Sequence, residues 1–212
     1  MLTVKSFEFS PIQENTYLLY NEFNNAIIID PGCYFDDEKE TLANYIDKMG
    51  LTPKMLLNTH CHLDHVFGNK FVSEKYGLTL RIHAGEKIVL DDAPLRGLMY
   101  NMPFDNYNDD LDFIKEGETI KMDTDELKVL FTPGHSPASL SFYSEKDGFV
   151  ISGDALFKQS IGRTDLPGGD YDLLIESIRK ELLILPDDTK VYSGHGPATT
   201  TGFEKRNNPF LI

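Results

Sequence analysis

Residues 59–65 read Thr59-His60-Cys61-His62-Leu63-Asp64-His65, which places three imidazoles and a carboxylate within six consecutive positions. The chain has six histidines, so half of them lie here. Neutral imidazole and carboxylate are ligands for divalent zinc, iron or manganese. The alternative is a histidine-rich surface turn that holds no metal. The residues just before, Met55-Leu56-Leu57-Asn58, follow Pro53 and form a short apolar run. They read as a strand that delivers His60 onto a loop at its carboxyl end. What this motif does depends on whether the rest of the chain brings further donors to the same place.

Hydrophobic patterning supplies the strands that could do so. Residues 2–9 alternate apolar and polar, and 15–20 and 26–29 are further apolar runs, the last stopped by Asp30-Pro31-Gly32. Three strands so close in sequence suit antiparallel neighbours. Residues 36–49 carry a helical period, with acidic residues in the first turn and Gly50 as the stop. A second helix is expected over 66–76, ending at Gly77, and a strand over 78–82. His83 follows as an ordinary loop or capping histidine. Residues 91–112 read as irregular, because they contain Pro94, Pro103 and six aspartates. The apolar patch within them (Leu98, Met99, Tyr100 and Met102) fits either an overhang above a site or a short packed helix. Strands are expected over 127–131, 140–143, 149–153 and 190–193, and an amphipathic helix over 171–185. The run Phe149-Val150-Ile151-Ser152-Gly153-Asp154 echoes Ala26-Ile27-Ile28-Ile29-Asp30, which hints at two similar halves.

The expected strand ends collect the remaining donors. His135 follows one strand, Asp154 ends another and His195 ends a third, each beside a glycine (Gly134, Gly153, Gly194). His60, His62, Asp64, His65, His135, Asp154 and His195 are too many for one tetrahedral ion and suit two ions sharing a carboxylate. Cys61 lies between two of these donors and is expected to be a buried thiol rather than a ligand. Asp30 and Thr59 suit a supporting role behind the imidazoles.

Composition narrows the partners. The net charge of −14 disfavours nucleic acid and anionic membrane surfaces, which attract a Lys/Arg excess. Two cysteines do not make a disulfide scaffold. The N-terminal residues show no basic region followed by an apolar run, so a soluble, cytoplasmic protein is expected. No stretch has a linker composition, which favours a single domain over 1–212. The sequence leaves the oligomeric state open.

The histidine motif, followed by His135, Asp154 and His195 in that order, resembles the metallo-β-lactamase superfamily over nearly the whole chain. The resemblance implies an α+β fold, a four-layer αββα sandwich with metals at the edge between the sheets. It implies that His60, His62 and His135 hold one ion, that Asp64, His65 and His195 hold the second, and that Asp154 bridges them. Asp64 and Asp154 are then the catalytic carboxylates. Gly162-Arg163-Thr164-Asp165 is similar to the glyoxalase II-like (hydroxyacylglutathione hydrolase-like) group and to the related persulfide dioxygenases. That implies hydrolysis of a small-molecule thioester of the S-2-hydroxyacylglutathione (S-lactoylglutathione) type by a metal-activated hydroxide. The cofactors implied are two divalent ions, zinc first, with iron or manganese as alternatives. Arg163 is the candidate contact for a substrate carboxylate, and an ion pair with Asp165 or Asp170 is the other reading of it. The larger glyoxalase II enzymes use a C-terminal helical extension to hold glutathione. The expectation here is the short form without it. An iron-dependent persulfide dioxygenase and a lactone or β-lactam hydrolase are the alternative activities for the same scaffold.

Overall fold

In the computed structural model, which describes residues 1–212, the apolar runs become the inner strands of two sheets. The first sheet holds β1 (Thr3–Phe9), β2 (Glu14–Tyr20), β3 (Asn25–Ile29), β4 (Thr52–Leu57), β5 (Leu80–His83) and β6 (Leu111–Ile114), in that spatial order. The second is built from β7 (Thr119–Met122), β8 (Asp125–Phe131), β9 (Leu140–Ser144) and β10 (Phe149–Gly153). A small hairpin, β11 (Leu156–Phe157) with β12 (Ser160–Ile161), follows, and β13 (Lys190–Ser193) and β14 (Thr199–Thr200) complete the second sheet. Its spatial order is β14-β13-β10-β9-β8-β7. The helices are α1 (Asp36–Met49), α2 (Leu63–Val66), α3 (Asn69–Tyr76), α4 (Lys87–Met99), α5 (Tyr171–Ser177) and α6 (Thr201–Asn207).

Side-chain alternation along the inner strands separates three apolar layers. Ile27 and Ile29 of β3 meet Phe142 and Ile151 between the two sheets. Ala26 and Ile28 point the other way, into a core with Leu42 and Ile46 of α1 and Val72 of α3. On the far side, Val150 and Val191 pack with Leu174, Ile178 and Leu182. The layers therefore run helix, sheet, sheet, helix, which is the expected αββα sandwich. No helix is long and apolar enough to cross a membrane.

The echo between β3 and β10 has a topological meaning. β3 pairs antiparallel with β2 and parallel with β4, and α1 makes the crossover. β10 pairs antiparallel with β9 and parallel with β13, and α5 makes that crossover. Each is the strand where its sheet changes direction, and ligand sites in α/β sheets gather outside the carboxyl ends of strands at such points.

Three expectations are corrected. The helix expected over 66–76 is two pieces, because Gly68 is withdrawn from the helical ladder. Its N–H donates to the Pro31 carbonyl at 2.7 Å, and its Cα packs on Cys33 and Pro31. Residues 87–99 are helical despite Pro94. A proline cannot donate to the carbonyl four residues back, and here that carbonyl, Leu90 O, accepts instead from Asn106 Nδ2 at 2.8 Å. The helix expected over 171–185 is α-helical only to Ser177 and continues as a π-helical turn, Ile178–Leu182. Strands β6 and β7 had no distinct signal, being short edge strands with several exposed positions.

Candidate metal centre

The carboxyl ends of β3, β4, β10 and β13 converge at one edge of the sandwich, and the seven candidate donors meet there. His60, His62 and His135 bring their ligand atoms within 4.8 Å of one another, and so do Asp64, His65 and His195. Asp154 touches rings of both triads: Oδ2 lies 3.4 Å from His135 Nε2, and Oδ1 lies 3.4 Å from His65 Nε2. His195 Nε2 is 3.1 Å from Asp64 Oδ2 and 3.5 Å from Asp154 Oδ2.

Four of the five rings are anchored on the opposite side; His62 instead turns Nδ1 inward, 2.8 Å from His135 Nε2. His135 Nδ1 bonds the Arg163 carbonyl at 2.7 Å, and His195 Nδ1 bonds the Gln13 carbonyl at 3.1 Å. His65 Nδ1 faces Asp30 Oδ2 at 3.1 Å, and His60 Nδ1 faces Thr59 Oγ1 at 3.1 Å. A carbonyl or carboxylate on Nδ1 fixes the tautomer that leaves the Nε2 lone pair free toward the centre. Asp30 does this for two elements at once. Its carboxylate accepts from Thr59 N at 2.7 Å, Thr59 Oγ1 at 2.6 Å and Asn58 Nδ2 at 3.1 Å. It sits at the end of β3 with φ +50°, a conformation that costs a non-glycine residue about 1–3 kcal/mol.

The buried polar atoms left without protein partners include His60 Nε2, His65 Nε2 and Asp154 Oδ1. Orphaned polar atoms of this kind are costly unless something binds them. Two imidazole nitrogens and a carboxylate oxygen aimed at one small space match the donor set of a divalent cation. The residues present fit two ions, one per triad.

Electrostatics agree with that use. Burial, helped by neighbouring imidazoles, holds His60 well below its ordinary pKa, and burial brings His62 down to about 3. Burial also lowers His135. These three rings are therefore neutral, as ligands must be. For Asp154 burial pushes the pKa up, but His65, His135 and His195 outweigh it and hold the carboxyl below its usual range. Asp64 behaves the same way through His65 and His195. His65 and His195 are opposed by burial too, yet Asp154 and Asp64 raise both. Protons and a cation would therefore compete for the second triad.

Close packing explains the glycines. Gly153 has φ +50°, and a Cβ there would overlap Thr59. A Cβ on Gly194 would overlap Asp154 Oδ1 and lie 2.7 Å from His65 Cε1. Cys61 is fully buried and outside both triads, and burial pushes its thiol well up. His83 caps a 3₁₀ turn (Ala84–Glu86), accepting from Gly85 N at 3.1 Å. Arg163 borders the centre, but its side chain is committed to Asp165: Nε to Oδ1 and Nη2 to Oδ2, each at 2.7 Å.

Two acidic residues at the site were not singled out in the sequence. Glu86 is fully buried and accepts from Cys61 N at 2.9 Å, Ala138 N at 2.8 Å and the Ser136 hydroxyl at 2.8 Å. It ties the loop of His60 and His62 to the loop of His135. Burial raises its pKa against the pull of those three donors. Glu14 is also fully buried, with Oε2 accepting from Thr16 Oγ1 at 2.9 Å and Oε1 lying 3.9 Å from His65 Nδ1. Burial pushes it well above the carboxylate range. Next to it, Asn15 Nδ2 donates to the Ser193 and Gly196 carbonyls at 3.0 and 2.9 Å, which fixes the His195 loop. The signal available for both was only a charged residue among apolar or turn-forming neighbours.

A cavity of about 1080 Å³ opens over the centre. His62, Asp64, His135, Asp154 and His195 form its floor, and α4, the β11–β12 hairpin and the 163–168 loop form its walls.

A two-sheet sandwich with paired His/Asp triads at one edge defines a class of metal-centred proteins. Residues 10–195 match the family model of the metallo-beta-lactamase superfamily, and the chain belongs to that superfamily. It is 42% identical over 202 residues to the probable metallo-hydrolase YqgX of Bacillus subtilis, covering 95% of this chain and 93% of the relative. It is 37% identical over 212 residues to the hydroxyacylglutathione hydrolase GloC of Haemophilus influenzae, covering 99% and 98%. The crystal structure of BLEG-1 B3 metallo-beta-lactamase superposes with a TM-score of 0.91 at 39% identity, covering 99% of this chain and 100% of that one. TTHA1623 in a di-iron-bound form superposes with a TM-score of 0.88 at 36% identity, covering 98% and 100%.

Proposed function

We propose that the chain is a binuclear metal-dependent hydrolase of thioesters of the S-2-hydroxyacylglutathione type, with His60, His62 and His135 holding one ion and Asp64, His65 and His195 the other. The observation that carries this reading is the pair of complete triads joined by Asp154. Bound divalent ions supply Lewis acidity for a carbonyl oxygen and lower the pKa of water to about 7. The chain's own residues do the rest. Asp154 and Asp64 offset the cationic charge while leaving the centre positive. Asp30, Gln13 and the Arg163 carbonyl keep His65, His195 and His135 in the ligating tautomer. The apolar side chains of the cavity walls are placed to pack on the acyl group. Arg163 stands at the wall with Nη1 as its only nitrogen not bonded to Asp165.

The likeness to GloC supports the thioester, and the di-iron form of TTHA1623 supports two ions without fixing the metal. Zinc is the first choice by donor set, with iron or manganese next. A persulfide dioxygenase needs a single iron, so the second complete triad favours hydrolysis. The likeness to BLEG-1 makes β-lactam hydrolysis the competing activity. The test is turnover of S-lactoylglutathione and of a β-lactam by metal-loaded protein, beside His60→Ala and Asp154→Asn. Thioester cleavage lost in both variants together with bound metal supports the proposal. Cleavage of the β-lactam alone, or activity that survives both substitutions, refutes it.

A further inference from the structure

One wall of the cavity is α4, and this helix is fixed along its length. Glu86, just ahead of it, bonds both metal-centre loops. Asn106 secures its first turn at Leu90 O. Near its end Gly97 packs directly on the Met102 carbonyl and the Phe104 ring, where a Cβ would lie 2.6 and 3.1 Å away. Val89, Asp92, Ala93, Arg96 and Tyr100 recur at three- and four-residue spacing and line the cavity. A side chain on so rigid an element is held in place before any ligand arrives.

Two guanidinium groups line this cavity, and they are not equally available. Arg163 gives Nε and Nη2 to both oxygens of Asp165. Arg96 gives only Nε, to Asp92 Oδ2 at 2.6 Å, and neither Nη1 nor Nη2 has a protein acceptor. Its side chain is about one-third exposed, at 35%, on the cavity side of the helix. The free Nη1/Nη2 edge is one of the two edges with which a guanidinium grips a carboxylate bidentately. The walls of the cavity include the apolar side chains of Ile12, Val89, Phe157 and Leu166. The cavity therefore offers a reactive floor, largely apolar sides and one guanidinium edge with no protein acceptor.

We propose that Arg96 is the anion contact that selects the substrate, through a carboxylate that the thioester carries. This rests on the thioester reading above. The carboxylate could sit on the thiol side or on the acyl side, and matched pairs separate the two. For the thiol side the pair is 3-(acetylthio)propionate and its N-methylamide. For the acyl side it is the S-methyl thioester of succinate and its amide.

With metal-loaded protein, kcat/KM favours the carboxylate over its neutral mate by about tenfold in at least one pair. Arg96→Gln brings that ratio to within about twofold of unity, Arg96→Lys leaves part of it, and Asp92→Asn, which removes the counter-ion, raises it. Circular dichroism and bound-metal stoichiometry match the wild type in Arg96→Gln, which separates loss of a contact from loss of the fold. A ratio near unity in the wild-type protein, or one that persists in Arg96→Gln and falls only in Arg163→Gln, overturns the proposal. The corresponding thioethers read the same contrast by calorimetric binding without turnover. If no thioester is cleaved, the hydrolase reading fails. Carboxylate-selective thioether binding that is lost in Arg96→Gln still upholds the anion site, and equal binding of each pair refutes it.

Discussion

Glu86→Gln tests whether one buried carboxylate holds the two metal-ligand loops together. The wild-type carboxylate satisfies three donors, the backbone N–H groups of Cys61 and Ala138 and the Ser136 hydroxyl, all within 2.9 Å. Each backbone N–H uses a different oxygen: Cys61 N bonds Oε2 and Ala138 N bonds Oε1. A carboxamide keeps the shape but has one oxygen, so one N–H must face an NH₂ group. Leaving a buried N–H unpaired costs about 1–3 kcal/mol, and loss of charge assistance on the surviving bond adds roughly 1 kcal/mol. Relief from burying a carboxylate returns part of this, since burial raises the Glu86 pKa. The net expectation is a loss of about 2–3 kcal/mol, and of about 3–5 kcal/mol for Glu86→Ala, which strands both N–H groups. Metal affinity of the first triad falls about 10–100-fold, the usual effect of removing a group that orients ligands. Denaturant unfolding of the metal-free protein reads the stability change, and chelator competition reads the affinity. A Glu86→Gln protein within about 0.5 kcal/mol of wild type and with unaltered metal affinity would refute the clamp.

Other substitutions and conditions probe different parts of the site. His65 and His195 have raised pKa values in the metal-free protein, so protons compete with a cation at the second triad. Metal affinity there weakens as pH falls through those values and is fullest above them, with up to two protons released per chain, which calorimetry in buffers of different ionisation enthalpy will detect. Gly194→Ala drives a methyl into Asp154 Oδ1 and against His65, and is expected to leave a folded protein whose metal stoichiometry drops from about two ions to about one. Asn106→Ala strands the Leu90 carbonyl and is expected to cost about 1–3 kcal/mol. Pro94→Ala restores the missing N–H, so the double variant should recover most of that loss in a double-mutant cycle, and strict additivity would disprove the repair.

The sandwich was legible wherever a strand was buried on both faces. Ala26–Ile29 and Phe149–Ile151 are almost wholly apolar because each faces a helix layer on one side and the other sheet on the other. Helix α1 was legible to its ends, since Asp36 to Glu38 and Gly50, at φ +64°, carry standard start and stop chemistry. Helix α4 was not, and the reason is tertiary. Pro94 is a true break signal in isolation, and what cancels it is a side chain twelve residues further on, Asn106. Gly68 failed in the opposite sense: nothing local shows that its N–H is needed by Pro31. The edge strands β6 and β7 carry too little buried surface to impose a period.

The site divides along the same physical line. Histidines at strand ends stand out because imidazole is scarce in this chain and its chemistry specific, so the seven candidate donors that the fold brings together could be picked out as candidates from sequence. Glu86 and Glu14 could not, because a glutamate in a sequence is most often a solvated charge. Only burial converts it into a structural acceptor, and burial is a property of the assembled sheets. The two halves make this concrete. β3 ends in Asp30, which orients ligands from β4's loop, while β10 ends in Gly153-Asp154, which supplies the carboxylate both triads touch. The same strand-end position thus carries a supporting acid in one sheet and a candidate ligand in the other. The difference lies in one inserted residue: Gly153 takes the left-handed conformation that Asp30 itself must adopt, with φ +50° at both. That moves the second carboxylate one residue further along the turn, out of the sheet edge and into the space between the imidazoles. An Asp30→Gly variant should then relieve backbone strain yet loosen His65 and Thr59, so metal affinity falls with less loss of stability than the four hydrogen bonds to Asp30 alone would suggest. A fall in stability as large as that of Glu86→Ala would show that the strain at Asp30 is not stored for the site.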